Sequence, residues 1–102
     1  MIDMDRIQEL RAEIGACNLD LVLDLFLAEA GETIERLEAG GVAADLGRAT
    51  HFLHGGALNM GLCDFAAVAA AIGATPPAAA DAAARLRAAL DRARAAVSAL
   101  AA

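Results

Sequence analysis

The stretch 46–61, LGRATHFLHGGALNMG, decides how this chain folds. Apolar and small residues recur in it every three or four positions, which is the spacing that places side chains on one face of an α-helix. That face consists of Leu46, Ala49, Thr50, Leu53, Ala57 and Met60. The stretch therefore predicts an amphipathic helix that begins near Val42 to Asp45 and ends or bends at Gly61.

The same spacing predicts four further helices, at about residues 3–14, 18–40, 63–73 and 78–100. Asp3 or Asp5 can cap the first, and Asn18 is the predicted N-cap of the second, which stops at Gly40-Gly41. The fourth is closed by Gly73 and the Pro76-Pro77 pair. Buried positions are predicted in all four: Ile7, Leu10, Ile14, Leu19, Val22, Phe26, Ala30, Thr33, Ile34, Leu37, Phe65, Val68, Ala69, Ile72, Leu86, Leu90, Ala93, Val97 and Leu100.

Leu21 and Leu25 lie off the apolar face of the second helix. They either meet the first helix or remain as an exposed apolar strip. We expect contact with the first helix.

The composition favours helices over strands, with 29 Ala and 14 Leu against 4 Val and 5 Ile among 102 residues. Four long helices joined by short connections are expected to be antiparallel neighbours. The predicted fold is all-α, a single domain over residues 1–102. Its architecture is an antiparallel up-down-up-down four-helix bundle with a short extra N-terminal helix.

Charge and apolar content limit the partners of the chain. All eight basic residues are Arg, and the net charge of −6 argues against nucleic acid, which requires a dense positive patch. No apolar run reaches the ~18 residues that a membrane span needs. The first residues, MIDMDRIQEL, do not resemble a secretory signal, so we expect a cytoplasmic protein that is a monomer. Cys17 and Cys63 are predicted to be free, buried thiols.

The face of helix 46–61 opposite the apolar one carries a histidine among small residues. At 100° per residue, His51 points to water, Gly47, Gly55 and Leu58 share its sector, and Arg48 and His54 flank it. Each exposed glycine costs a helix about 1 kcal/mol relative to alanine. We infer that another molecule approaches this face closely.

A neutral imidazole is a nucleophile that can accept a phosphoryl group, and a free imidazole with a pKa near 6.5 is largely neutral in the cytoplasm. The phosphoryl group adds a charge approaching −2, which Arg48 and His54 can meet as hydrogen-bond donors. An exposed leucine beside the reactive nitrogen, Leu58, is suited to contact a partner. Asn59 and Gly61 are expected to shape the helix end, and Gly56 to permit close helix packing.

These residues resemble the histidine phosphotransfer (HPt) domain family. Its motif is roughly H-x-L-K-G, followed by small residues, an Asn or similar residue, and a Gly ten positions after the His. The chain has HFLHGG at 51–56, then Asn59 and Gly61, and the preceding LDLFLAEAGETIERLEAG at 23–40 is similar to the family's F-x-x-E-like helix. The resemblance covers essentially the whole chain.

The resemblance implies a relay protein without ATP-dependent kinase activity. Such domains take a phosphoryl group onto the histidine that matches His51 from an aspartyl phosphate of a response-regulator receiver domain, and pass it to another receiver. A hybrid sensor kinase is a further candidate partner. The chain itself would hold no cofactor or metal, because the receiver supplies Mg²⁺.

One position departs from the family pattern: His54 stands where the family usually has Lys. We expect His54 still to donate a hydrogen bond to the phosphoryl group and Arg48 to supply most of the fixed positive charge.

Alternative interpretations stay open at this point. The chain could be a receiver-binding module that sequesters a regulator without transferring phosphate, or a metal-binding or scaffold bundle. His51 could be an ordinary surface histidine, His54 a second acceptor, or the two a metal pair.

Overall fold

A computed structural model describes residues 2–40 and 45–100, and all regular structure in these residues is helical. The all-α prediction is therefore confirmed. The five helices are α1 (Met4–Ile14), α2 (Ala16–Ala39), α3 (Leu46–Asn59), α4 (Cys63–Ala74) and α5 (Ala79–Leu100). The second helix is predicted to end at Gly40-Gly41 and the third to start at Val42 to Asp45, and residues 41–44 of these boundaries lie outside the described residues.

Two helices begin at an aspartate that caps them. The Asp3 carboxylate accepts a hydrogen bond from the Arg6 backbone N–H at 3.2 Å, and that of Asp45 accepts one from the Arg48 N–H at 3.0 Å. Each cap satisfies an amide that has no partner within its helix.

The predicted N-cap of α2 at Asn18 is wrong. Gly15 has a φ of 84°, a conformation that glycine adopts without strain, so the chain turns within one residue and α2 begins at Ala16. Asn18 lies within the helix, where its side-chain amide donates to the Ile14 carbonyl at 2.8 Å.

The four longer helices surround one hydrophobic core. α3 packs on α4, α4 on α5, and α2 on both α5 and α3. Most predicted core positions are buried, while Ile14, Val22, Leu46, Val68, Val97 and Leu100 are half-buried at its edge. Leu23 and Leu27 are also buried, although the predicted face of α2 did not include them. An ion pair between Arg87 and Glu38, 2.8 Å apart, links α5 to α2 at the surface, and its hydrogen bond raises the pKa of Arg87.

The short helix α1 is attached to the far end of α3. Arg6 donates from Nε to the Asn59 backbone carbonyl at 2.9 Å and from Nη2 to the Asn59 side-chain oxygen at 2.8 Å. The Asp3 N–H donates to the Gly61 carbonyl at 2.8 Å. α1 then packs on α2 and buries Ile7 and Leu10.

This attachment leaves Leu21 and Leu25 uncovered. The two side chains are 66% and 60% exposed, so the prediction that they meet the first helix is wrong. α1 is held at the junction of α3 and α4, and the part of α2 that it covers does not include this side. The two leucines form an exposed apolar strip.

Both cysteines are free, as predicted, but both are exposed rather than buried. Cys17 and Cys63 each stand two residues before a buried residue, Leu19 and Phe65, and two residues are 200° around a helix. Apolar neighbours in the sequence therefore do not imply that the thiols of these cysteines are buried. Among the described helices, none is long and apolar enough to cross a membrane.

Candidate functional site

Helix α3 presents His51 to solvent. Leu53 and Ala57 on the opposite face are fully buried, and this fixes the rotation of the helix. Thr50 is buried beside His51, and its hydroxyl donates within α3 toward the Leu46 and Gly47 carbonyls at 2.9 and 3.1 Å. The imidazole of His51 is exposed, as the helical angles predict.

A shallow cleft of about 230 Å³ lies beside His51 between α3 and α4. The α3 side contributes both histidines, and the α4 side contributes only small residues. The lining consists of Gly47, Thr50, His51, His54, Ala69, Ala70 and Gly73. Because no side chain on the α4 side is larger than a methyl group, a group the size of phosphate has room beside the two imidazoles.

His54 is half-buried and makes a contact that the sequence does not signal. Its Nδ1 lies 3.2 Å from the backbone carbonyl oxygen of Ala66, in α4. A carbonyl oxygen only accepts hydrogen bonds, so this contact requires the hydrogen to be on Nδ1. Nε2 is then the ring nitrogen of His54 that remains for other contacts.

Arg48 lies on the other flank of His51. Its side chain is 87% exposed, and Nε is 4.0 Å from the Asp45 carboxylate. It lines a separate groove of about 560 Å³ between α2 and α3, together with Glu29, Glu32 and Phe52 among others. The structure thus brings His51, His54 and Gly47 to one cleft and places Arg48 outside it, on a long side chain at the surface.

The glycines near His51 fall into two kinds. A Cβ added at Gly55 would have no atom within 4 Å, and one at Gly47 would meet only the Asp45 carboxylate at 3.7 Å. Nothing inside the described chain requires glycine at these two positions. Gly56 is different, because a Cβ there would overlap the ring of Phe26 in α2.

The end of α3 is held by backbone conformation and by hydrogen bonds. Gly61 has a φ of 73°, and a Cβ there would lie 3.1 Å from the Asp3 carbonyl oxygen. Asn59 makes the two hydrogen bonds with Arg6 described above, so it fixes the position of α1 and of the turn into α4.

Two large apolar side chains of α3 are exposed, and one of them, Phe52, lines the groove between α2 and α3 rather than the cleft. Leu58 is 53% exposed. Phe52, for which the sequence predicts no role, is 40% exposed and has its ring centroid 6.2 Å from that of Phe26. Whether an aromatic side chain of α2 or α3 is buried depends on which helices touch. Helical spacing within one segment does not show this.

Metal-binding groups are sparse in what the structure describes: over residues 2–40 and 45–100 no cluster of three or more His, Cys, Asp or Glu side chains could hold a metal ion.

A family model described as the Hpt domain matches residues 21–96, which is about three quarters of the chain. The matched span runs from α2 into α5 and includes the whole of α3 and α4. No curated protein and no solved structure matches the chain.

Proposed function

The chain belongs to the Hpt domain family, and from that premise we propose that it relays phosphoryl groups between aspartates of response-regulator receiver domains through a phosphohistidine at His51. Membership of the family indicates phosphotransfer in two-component signalling. The observation that supports His51 as the acceptor is its exposed imidazole beside a cleft lined by small residues.

In the proposed step the neutral imidazole of His51 attacks the phosphorus atom of an aspartyl phosphate, through Nε2 by resemblance to the family. A P–N bond forms, the P–O bond to the aspartyl carboxyl breaks, and its electron pair remains on the receiver's carboxylate. The hydrogen on the other ring nitrogen of His51 passes to solvent when the phosphorylated ring returns to its neutral form. The receiver contributes Mg²⁺ and the carboxylates that hold it. The contribution of this chain is to position one nucleophile where a second protein can reach it.

We also propose the directions in which the helices run and the cellular setting of the protein. The long helices run up-down-up-down, since each contacts its neighbour in sequence and α2 contacts α5. Only three residues separate α3 from α4, and four separate α4 from α5. Because connections this short join antiparallel neighbours, we expect both pairs to be antiparallel. The helices form one domain that acts in the cytoplasm as a monomer, and a hybrid sensor kinase is a further candidate partner.

Leu58, Gly55 and Gly47 form the proposed contact area for the receiver. The glycines leave the backbone of α3 accessible, and Leu58 offers apolar surface that a partner can bury. Complete burial of a leucine is worth about 1.5–3 kcal/mol, and a partner can bury the half of Leu58 that is exposed, which is worth about half as much.

Leu58→Ser is therefore expected to weaken receiver binding about three- to tenfold, measured by isothermal titration calorimetry or surface plasmon resonance. Ala84→Ser, at an exposed position of α5, is the control and should bind as the wild type does. Equal affinities for the wild type and Leu58→Ser would remove Leu58 from the contact area.

Arg48 is proposed to supply fixed positive charge to the phosphoryl group. The charge is exposed, so its contribution is of the order of 0.5–1 kcal/mol and weakens with salt. Arg48→Ala is expected to shorten the phosphohistidine half-life about two- to fivefold at low ionic strength. Arg85→Ala, an exposed arginine of α5, should leave the half-life unchanged, and an unchanged half-life in Arg48→Ala would contradict the role.

The test of the proposed function is phosphotransfer profiling. The purified chain is incubated with each phosphorylated receiver of the same genome, and transfer is followed by an acid-labile, base-stable label on the chain. We expect label from at least one receiver. Binding without label would favour the sequestering module instead, and metal in the purified protein together with no receiver binding would favour the metal-binding bundle.

A further inference from the structure

The two ring nitrogens of His54 are not equivalent. Nδ1 faces the Ala66 carbonyl oxygen at 3.2 Å and must carry a hydrogen to bond it. In a neutral imidazole the other nitrogen then has a lone pair and no hydrogen. Neutral His54, which lines the cleft, therefore has only an acceptor nitrogen left for a further hydrogen bond.

Within the described residues, no Asp, Glu or Arg side chain lines the cleft beside His54. The α4 residues that line the cleft are Ala69, Ala70 and Gly73. The acidic residue of α4, Asp64, forms an ion pair with Arg92 of α5 at 3.0 Å. On α3, Arg48 lines the groove on the far side of the helix with Asp45. Of the residues that line the cleft, His51 is the other titratable one.

We propose that acceptance of a phosphoryl group by His51 is coupled to uptake of one proton at Nε2 of His54. This inference rests on the proposed function. The phosphoryl oxygens are acceptors with a charge approaching −2, and a neutral His54 would oppose them with a lone pair. A proton taken from solvent onto Nε2 turns this contact into a charge-assisted hydrogen bond, while Nδ1–H stays on Ala66.

The coupling makes the transfer equilibrium depend on pH. His54 holds one proton more in the phosphorylated chain than in the free chain, so compared with a residue 54 that does not titrate, a lower pH favours phosphohistidine over aspartyl phosphate. A single linked proton changes the equilibrium constant by at most about tenfold per pH unit, within the range where imidazoles titrate. A lysine at this position is protonated throughout this range and gives no such dependence.

The experiment measures the equilibrium between the phosphorylated receiver and the phosphorylated chain from pH 6 to pH 8. Receiver, Mg²⁺ and phosphoryl group also respond to pH, so the wild-type constant is divided by that of His54→Lys at each pH. We expect this ratio to fall by about fivefold or more from pH 6 to pH 8. A ratio that is constant over this range would overturn the inference.

His54→Gln provides a second comparison, because its amide does not titrate. The ratio of wild type to His54→Gln should fall with rising pH in the same way, and circular dichroism at each pH selects the variants that are folded. In parallel, ¹⁵N NMR of the free wild type at pH 8 should show the hydrogen of His54 on Nδ1. A hydrogen on Nε2 at that pH would also overturn the inference.

The failure of this inference can be told from failure of the proposed function. Phosphate on His51 with a constant ratio overturns the proton coupling alone. Absence of phosphate from His51 in the wild type and in both variants, with every receiver, overturns both.

Discussion

Replacing His51 with alanine is expected to abolish phosphate acceptance from every receiver that labels the wild type. The substitution removes the attacking nitrogen, and the chain offers no other exposed imidazole among the residues that the structure describes. The fold should be unaffected, because the His51 side chain is exposed and alanine favours a helix. The measurement is the acid-labile label on His51→Ala after incubation with phosphorylated receivers.

His54→Ala separates the two histidines. His54 is half-buried and has one nitrogen on the Ala66 carbonyl, so we expect His54→Ala to retain label at His51, with a changed half-life. Arg85→Ala should be labelled as the wild type is. Label that persists in His51→Ala and disappears in His54→Ala would assign the acceptor to His54.

The orientation of α3 could be predicted because it follows from one segment alone. Its apolar residues recur at helical spacing, and burial of Leu53 and Ala57 forces His51 to the opposite side. The same holds for α4, where Phe65 and Ile72 are buried, and for α5, where Leu86 and Leu90 are buried. Where the helical spacing within one segment determines the buried face, the sequence alone predicts which side chains of that helix are exposed.

The rest depends on which segments meet, and local spacing does not contain that information. Leu21 and Leu25 are exposed because Arg6 ties α1 to Asn59, 53 residues away. His54 meets the Ala66 carbonyl only because α3 and α4 pack side by side. The first contact decides which apolar surface stays exposed, and the second leaves Nε2 as the ring nitrogen of His54 for any further contact.

Gly56→Ala is expected to lower the free energy of unfolding by about 2 kcal/mol, because the added methyl group would overlap the Phe26 ring. Phe26 has little freedom to move aside, since its ring packs against Phe52 and, edge to face, against Phe65, with centroids 6.2 and 6.3 Å away. For a domain of this size the loss corresponds to a fall in Tm of about 10 °C. Thermal and urea unfolding followed by circular dichroism measure it.

Gly55→Ala is the matched control for Gly56→Ala, because it makes the same change one residue away where the methyl group meets nothing within 4 Å. It should raise the free energy of unfolding by about 1 kcal/mol, since alanine is the better helix former. Equal effects of the two variants would mean that Phe26 does not limit the approach of α2 to α3. If Gly56→Ala lowers the free energy of unfolding and Gly55→Ala raises it, Gly56 sets the distance between these helices. Stability then does not explain the glycine at position 55. A methyl group added there would lie on the surface that we propose a receiver contacts.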